Sequence, residues 1–129
     1  MSDELKRIIY AEDEVDIQEI VKISLIELGG FELKVCSSGE ELLQEYADYA
    51  PDLILLDVMM PVMDGVSTFT ALKEMKEYNA TPVIFMTAKV QVNEVQFYKD
   101  LGAIEVISKP FNPMTLPDLL RQIWQKRKV

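Results

Sequence analysis

The sequence predicts an α/β fold, a doubly wound (βα)5 parallel sheet with helices on both faces. Short apolar runs such as Leu53-Ile54-Leu55-Leu56 and Val83-Ile84-Phe85-Met86 are typical of buried parallel strands. They alternate with helix-patterned stretches five times along the chain, and no linker, repeat or low-complexity segment interrupts the alternation. Such an alternation indicates a single sheet built from successive strand–helix–strand units.

The first half of the chain predicts two strands and two helices. Ile8-Ile9-Tyr10-Ala11 is the first strand, and Gly29-Gly30 closes the helix that follows it. Residues 31–36 form a less apolar strand, which is therefore expected nearer an edge. Ser38 and Glu41 have the spacing of a capping box for the second helix, which Pro51 ends. The predicted inner face of this helix is Leu43, Tyr46, Ala47 and Ala50.

The second half predicts three strands and three helices. Residues 53–56 are the most hydrophobic strand and are expected at the centre of the sheet. Asp64-Gly65 opens the third helix, and a weaker helix follows the strand at 83–86 and stops at Gly102. The fifth strand is predicted at 106–108. Thr115 and Asp118 have capping spacing for the last helix, whose apolar face includes Trp124.

Composition limits the possible functions. The chain has 129 residues, of which 49% are hydrophobic and 27% charged, and this predicts one domain over 1–129 with a core of about 7–126. The net charge of -9 argues against direct nucleic-acid binding, because phosphate contacts need a basic face. No apolar run approaches the roughly 20 residues of a membrane span. The single Cys36 fits a reducing compartment, and we expect a cytoplasmic protein.

Five side chains follow predicted strands and should converge at one edge of the sheet. They are Glu12, Asp13, Asp57, Thr87 and Lys109. Parallel strands end on the same side, and the carboxyl edge is where open α/β sheets hold their chemistry. Three carboxylates, a hydroxyl and an ammonium group in one place predict a site for a divalent cation and a phosphoryl group.

The residue types indicate how such a site would work. Crowded carboxylates repel one another, so one pKa should rise or a cation should bind, and hard oxygen ligands suit Mg²⁺. Asp57 ends the central strand and is the best candidate nucleophile. Lys109 can pair with a carboxylate and then with a phosphoryl oxygen. Taken alone, Asp13 could equally be a solvated or helix-capping carboxylate, and Thr87 an ordinary strand-end hydroxyl.

The motifs together resemble the receiver domain of bacterial two-component response regulators. The resemblance lies in Glu12-Asp13-Glu14, the segment from Leu55 to Gly65 that contains Asp57, Met86-Thr87-Ala88, and Ser108-Lys109-Pro110-Phe111. It extends over essentially the whole chain. The family fold is flavodoxin-like with strand order 2-1-3-4-5, which agrees with the alternation described above. The resemblance also raises the expectation that the Lys109–Pro110 peptide bond is cis.

The resemblance implies a role for each site residue. Asp57 would accept a phosphoryl group from a phosphohistidine on a sensor histidine kinase or a histidine phosphotransfer protein. Glu12, Asp13, Asp57 and the Met59 carbonyl would serve Mg²⁺, while Thr87 and Lys109 would bind the phosphoryl oxygens. The chain contains no histidine, so the donor must be another protein. Two positions depart from the commonest family pattern, because Glu12 replaces an aspartate and Val106 replaces a switch aromatic.

Three other classes of protein could share parts of this pattern. A haloacid-dehalogenase-like phosphatase needs a second acid two residues after the nucleophile, where this chain has Met59. A flavodoxin-type cofactor binder needs a phosphate-binding loop after the first strand, where the acidic Glu12-Asp13-Glu14 would repel phosphate. A scaffold could retain the fold without turning over phosphate. Labelling by acetyl phosphate with Mg²⁺ would separate a switch from all three.

We therefore expect a signalling switch rather than a dedicated enzyme. No output domain is predicted within these residues, so the chain should act on a downstream protein target or pass phosphate along a relay. Since Val106 cannot turn inward as an aromatic ring would, the signal is expected to leave through Thr87. It would pass to the Ala88-Lys89-Val90 loop and the weakly apolar helix at 92–101.

Overall fold

The computed structural model describes residues 3–127 and contains a five-stranded parallel sheet. The strands are β1 (Arg7–Ala11), β2 (Glu32–Cys36), β3 (Leu53–Asp57), β4 (Val83–Thr87) and β5 (Glu105–Ser108). Their order across the sheet is β2-β1-β3-β4-β5, and every neighbouring pair is parallel. The predicted fold class and strand order are confirmed.

Five helical segments connect and follow the strands in the described part of the chain. They are α1 (Val15–Lys22, continued by a π-helical stretch Ile23–Leu28), α2 (Gly39–Tyr49), α3 (Gly65–Glu74), α4 (Val92–Leu101) and α5 (Leu116–Lys126). The first of these ends as predicted at the glycine pair, where Gly30 adopts a φ of 74°. Glycine adopts this left-handed conformation without steric cost. Among the described residues no helix is both long and apolar enough to cross a bilayer.

The core lies on both sides of the sheet, as the doubly wound prediction requires. One apolar cluster joins the sheet to α1 and α5, and includes Tyr10 and Trp124. The other joins it to α2, α3 and α4, and includes Phe69 and Phe85. Every residue of β3 and β4 is buried, whereas three residues of the edge strand β2 are only half-buried. The central and edge positions predicted for these strands are confirmed.

The predicted inner face of α2 was partly wrong. Tyr46 is buried and Leu43 is half-buried, but Ala47 and Ala50 are exposed and Leu42 is the residue that faces inward. We attribute this difference to Gly39, where an added Cβ would overlap the hydroxyl oxygen of Thr68 on α3. A glycine allows this close approach without contributing to an apolar pattern.

Two of the three helix starts selected from the sequence carry a side-chain cap in the structure. The hydroxyl of Ser38 accepts the amide of Glu41 at 3.0 Å, although the Glu41 carboxylate reaches back to the amide of Ser37 rather than of Ser38. The Asp64 carboxylate accepts the amide of Ser67 at 2.8 Å and caps α3. The expected cap at Thr115 is absent, because its hydroxyl turns to the carbonyl of Asn112 instead.

Candidate functional site

The carboxyl edge of the sheet gathers the five residues selected from the sequence. Asp57 and Thr87 are the last residues of β3 and β4, and each is only 2% exposed. Glu12 and Asp13 follow β1, and Lys109 follows β5. The amide of Lys109 donates to the carbonyl of Thr87 at 2.9 Å, so the strand pairing itself places these two residues side by side.

Lys109 is the centre of the hydrogen bonding in this site. Its ammonium nitrogen lies 3.1 Å from Oε1 of Glu12 and 3.1 Å from Oδ1 of Asp57. The two carboxylates are almost completely buried, and the lysine side chain is 18% exposed. Charge-assisted hydrogen bonds in a water-poor environment are stronger than neutral ones. One ammonium group therefore compensates two buried carboxylates that would otherwise repel each other.

The electrostatics of Asp57 reflect this crowding. Burial, followed by the charge of Glu12, raises the pKa of Asp57 to about 6, while the nearby ammonium of Lys109 opposes the rise. Burial acts to lower the pKa of Lys109, but its hydrogen bonds to Glu12 and Asp57 outweigh this effect and raise the pKa overall. Near neutral pH the site thus holds an ionised Asp57 carboxylate at an energetic cost that an added positive charge would relieve.

The acidic cluster fits a hard divalent cation. Carboxylate oxygens of Glu12, Asp13 and Asp57 all lie within 4.8 Å of one another. Oxygen-only ligands that supply a few carboxylates and leave room for waters are the environment that Mg²⁺ prefers. Asp13 is half-buried and is the member of the cluster with the most exposure to solvent. The Met59 carbonyl remains a predicted ligand.

The loop after β3 contains three methionines, Met59, Met60 and Met63. Only Met60 is buried, at 8% exposure, and Met63 is half-buried. Met59 is 69% exposed, and the neighbouring Val62 is 95% exposed with a φ of 69°. The Met59 side chain therefore stands at the rim of the site. The Lys109–Pro110 bond is cis, as the family resemblance suggested.

Thr87 lies at the same edge, and its hydroxyl is turned toward the following loop. The hydroxyl oxygen accepts the amide of Lys89 at 3.1 Å. This contact links the site to the exposed segment that leads into α4. A hydroxyl can both accept and donate hydrogen bonds, so Thr87 contacts the loop through its oxygen while it lies at the edge of the site.

Two further residues contact the site that sequence reasoning missed. The hydroxyl of Tyr10 donates to Oε1 of Glu12 at 3.1 Å, and Nε2 of Gln18 donates to the backbone carbonyl of Glu12 at 2.5 Å. The position of Tyr10 on the same face as Glu12 could have been predicted from the sequence, because residues two apart on a strand share a face. A tyrosine inside an otherwise aliphatic buried strand also needs a partner for its hydroxyl. Gln18 carried no comparable signal.

Comparison with known proteins agrees with this arrangement. The family model for the response regulator receiver domain matches residues 8–121. The CpxR transcriptional regulatory protein of Klebsiella pneumoniae is 34% identical over 122 residues, which are 95% of this chain and 50% of that protein. The PhoP alkaline phosphatase synthesis regulator of Bacillus subtilis is 31% identical over 96% of this chain and 50% of its own length.

Solved structures show the same likeness. The chemotaxis protein CheY4 of Vibrio cholerae superposes with a TM-score of 0.83 at 29% identity, covering 92% of this chain and 98% of that one. The chain spans about half the length of several of the curated relatives it matches. The matched segment contains all five residues at the carboxyl edge of the sheet. The chain therefore belongs to the response regulator receiver domain family.

Proposed function

We propose that this chain is a phosphorylation-dependent switch in which Asp57 is the phosphoryl acceptor. The observation that carries the proposal is the position of Asp57, which is buried at the end of the central strand, 3.1 Å from an ammonium group and beside two more carboxylates. A buried carboxylate with a raised pKa and a specific charged partner is typical of a functional group rather than a structural one.

The proposed donor is a phosphohistidine on a partner protein, as expected for relatives of this family. A carboxylate oxygen of Asp57 attacks the phosphorus, the P–N bond breaks, and the histidine leaves as a neutral imidazole after it gains a proton. The product is an acyl phosphate on Asp57. The partner is a sensor histidine kinase or a histidine phosphotransfer protein, since this chain has no histidine of its own.

Residues around Asp57 would prepare and stabilise this transfer. Lys109 would move from the Asp57 oxygen to a phosphoryl oxygen as negative charge arrives. Glu12, Asp13, Asp57 and the Met59 carbonyl are the proposed Mg²⁺ ligands; when bound, Mg²⁺ neutralises negative charge on the phosphoryl oxygens. The Thr87 hydroxyl would leave the Lys89 amide and bind a phosphoryl oxygen.

The proposed output surface lies beside α4 and β5. Of the described residues of α4, only Tyr98 is buried, whereas Val92 and Phe97 are 88% and 52% exposed. A cavity of about 600 Å³ lies between β5 and α5, with Val106 in its wall. We propose that a downstream protein binds this region. The relatives that are named as transcriptional regulators are about twice as long as this chain, so the predicted lack of nucleic-acid contact concerns only residues 1–129.

Labelling with acetyl phosphate tests the proposal directly. In the presence of Mg²⁺ the protein should gain the mass of one phosphoryl group, and EDTA should prevent the gain. Asp57→Asn should remove the labelling while the folded structure is retained, because the amide is nearly isosteric with the carboxylate. Labelling of an aspartate other than Asp57 would refute the assignment, and no labelling of the parent protein would favour the scaffold alternative.

A further inference from the structure

Tyr10 is a buried polar residue that the proposed transfer does not use. It lies in the middle of β1, it is completely buried, and its ring packs in the core cluster between the sheet and α5. Its hydroxyl nevertheless reaches the carboxyl edge and donates to Oε1 of Glu12 at 3.1 Å. A core position could be filled by phenylalanine, so the hydroxyl needs an explanation in the site.

Glu12 is a fully buried carboxylate that accepts hydrogen bonds from three donors among the described residues. Oε1 accepts from Tyr10 and from the Lys109 ammonium, each at 3.1 Å, and Oε2 accepts the amide of Glu14 at 3.3 Å. A buried carboxylate that loses its partners is strongly destabilised. How firmly the Glu12 carboxylate is held in place therefore depends on how many of these donors remain.

The Lys109 ammonium is the donor that the reaction would remove. Before phosphorylation the ammonium is shared between Glu12 and Asp57. Phosphorylation of Asp57 would place a strongly charged group beside the ammonium. As Lys109 turns to a phosphoryl oxygen, Glu12 loses the only cationic side chain that contacts it among the described residues. Tyr10, which is fixed by its ring in the core, stays in place.

We propose that Tyr10 is a positioning residue that holds Glu12 in place when Lys109 turns to the phosphoryl group, and so favours the phosphorylated state. The proposal rests on the proposed function, because it assigns Tyr10 a part in the same transfer. A phenol suits this role for two reasons. It is neutral, so it does not compete with a cation for the carboxylates. Its rigid ring is buried in the core and keeps the hydroxyl group in a fixed position.

Beryllofluoride mimics a phosphoryl group on a carboxylate, so its binding affinity measures how strongly the phosphorylated state is favoured. With Mg²⁺ in excess, Tyr10→Phe should bind beryllofluoride about threefold to tenfold more weakly than the parent protein, because the hydrogen bond is present in both states but contributes more once Lys109 has left Glu12. Tyr10→Met, which also fills the core without a hydroxyl, should weaken binding to a similar extent. The affinities are measured by titration calorimetry on protein shown to be folded by circular dichroism.

The chain offers a matched control in Tyr46. It is also a buried tyrosine, 3% exposed, and its hydroxyl bonds to Asn79 and Thr81 on the opposite side of the sheet. Tyr46→Phe removes the same atom and should reduce stability without changing beryllofluoride affinity. An equal loss of affinity in Tyr46→Phe would show that general destabilisation explains the effect, and would overturn the proposal.

A double-mutant cycle tests whether Tyr10 acts through Glu12. In a Glu12→Gln background the buried charge is absent, so adding Tyr10→Phe should change beryllofluoride affinity by less than about twofold. Additive losses in the double mutant would mean that Tyr10 acts by another route, which would overturn the proposal. Parent-like binding by Tyr10→Phe would refute the inference and leave the proposed function intact. Failure of the parent protein to bind beryllofluoride would refute the proposed function itself.

Discussion

The ammonium group of Lys109 is shared between two buried carboxylates, and this sharing determines how the site responds to pH and to ligands. Glu12 and Asp57 are each 3.1 Å from the nitrogen and almost fully excluded from water. Burial, followed by the charge of Glu12, raises the pKa of Asp57 to about 6, and the one ammonium group of Lys109 offsets this only in part. The unliganded site is therefore strained electrostatically, and removal of one carboxylate should relieve it.

Asp57→Asn should accordingly be more stable than the parent protein at neutral pH. The pKa of Asp57 is about 6 in the folded state against an ordinary 3.8, so the folded state retains its proton to higher pH. Parent stability should therefore fall as pH rises from about 4 to 6, and the variant should lack this fall. At pH 7 without Mg²⁺ we expect an advantage of about 1–3 kcal/mol in the free energy of unfolding. Urea unfolding at pH 4 and 7 measures it, and an advantage independent of pH would contradict the explanation.

Asp13→Ala should weaken Mg²⁺ binding at least about tenfold, because Asp13 supplies one of the clustered carboxylates and is the most exposed of them. The matched control is Asp16→Ala, which removes an exposed acid from the first turn of α1 and changes the net charge equally. Mg²⁺ titration followed by amide chemical shifts compares the two variants. Similar weakening in both would indicate general electrostatics rather than a ligand at residue 13.

At the residue scale the sequence predicted which side chains meet but not how they are held. Strand ends and residue types were enough to select Asp57, Thr87 and Lys109, because parallel topology brings them to one edge. The contact between Tyr10 and Glu12 depends on the length of two side chains and on the burial of both. The strand pattern places Tyr10 and Glu12 on one face, but whether the two side chains meet is set by packing in three dimensions.

Helices were predicted more reliably in their position than in their rotation. The position of α2 followed from Ser38, whose hydroxyl caps it, but its inward face was assigned by counting apolar residues. Gly39 lies so close to Thr68 of α3 that an added Cβ would overlap the hydroxyl oxygen, and we expect this contact to set the rotation of α2. Apolar periodicity detects side chains that are buried, and it cannot detect a glycine that is needed because a neighbour occupies the space.

Gly39→Ala should therefore destabilise the protein by about 1–3 kcal/mol, the range for overpacking a buried contact. The added Cβ would overlap the Thr68 hydroxyl oxygen, so one helix must move. Combining it with Thr68→Ala removes that oxygen, and the double variant should lose less stability than the sum of the single variants. Urea unfolding of the three proteins makes the comparison. Strict additivity would show that this contact does not set the rotation of α2.

At the scale of the whole molecule, a short exposed segment after β4 connects the site to the helix of the proposed output surface. The two strands β3 and β4 are buried along their entire length and are expected to be rigid. By contrast Ala88, Lys89 and Val90 are exposed, and they join the Thr87 hydroxyl to the shallowly packed helix α4. A change at Asp57 should therefore alter the conformation of residues 88–90 and α4 more than that of β3 or β4.

Amide chemical shifts on addition of beryllofluoride with Mg²⁺ test this route. Because the Thr87 hydroxyl accepts the Lys89 amide and is proposed to exchange it for the phosphoryl mimic, the largest changes outside the site should fall at residues 87–101. Thr87→Ala removes the hydroxyl and should suppress those changes while acetyl phosphate still labels Asp57. Ser67→Ala, an exposed hydroxyl on α3, serves as the control and should leave the shifts unchanged. If the largest distal changes fall on residues 15–28 instead, the signal leaves through α1 and the connection through Thr87 is wrong.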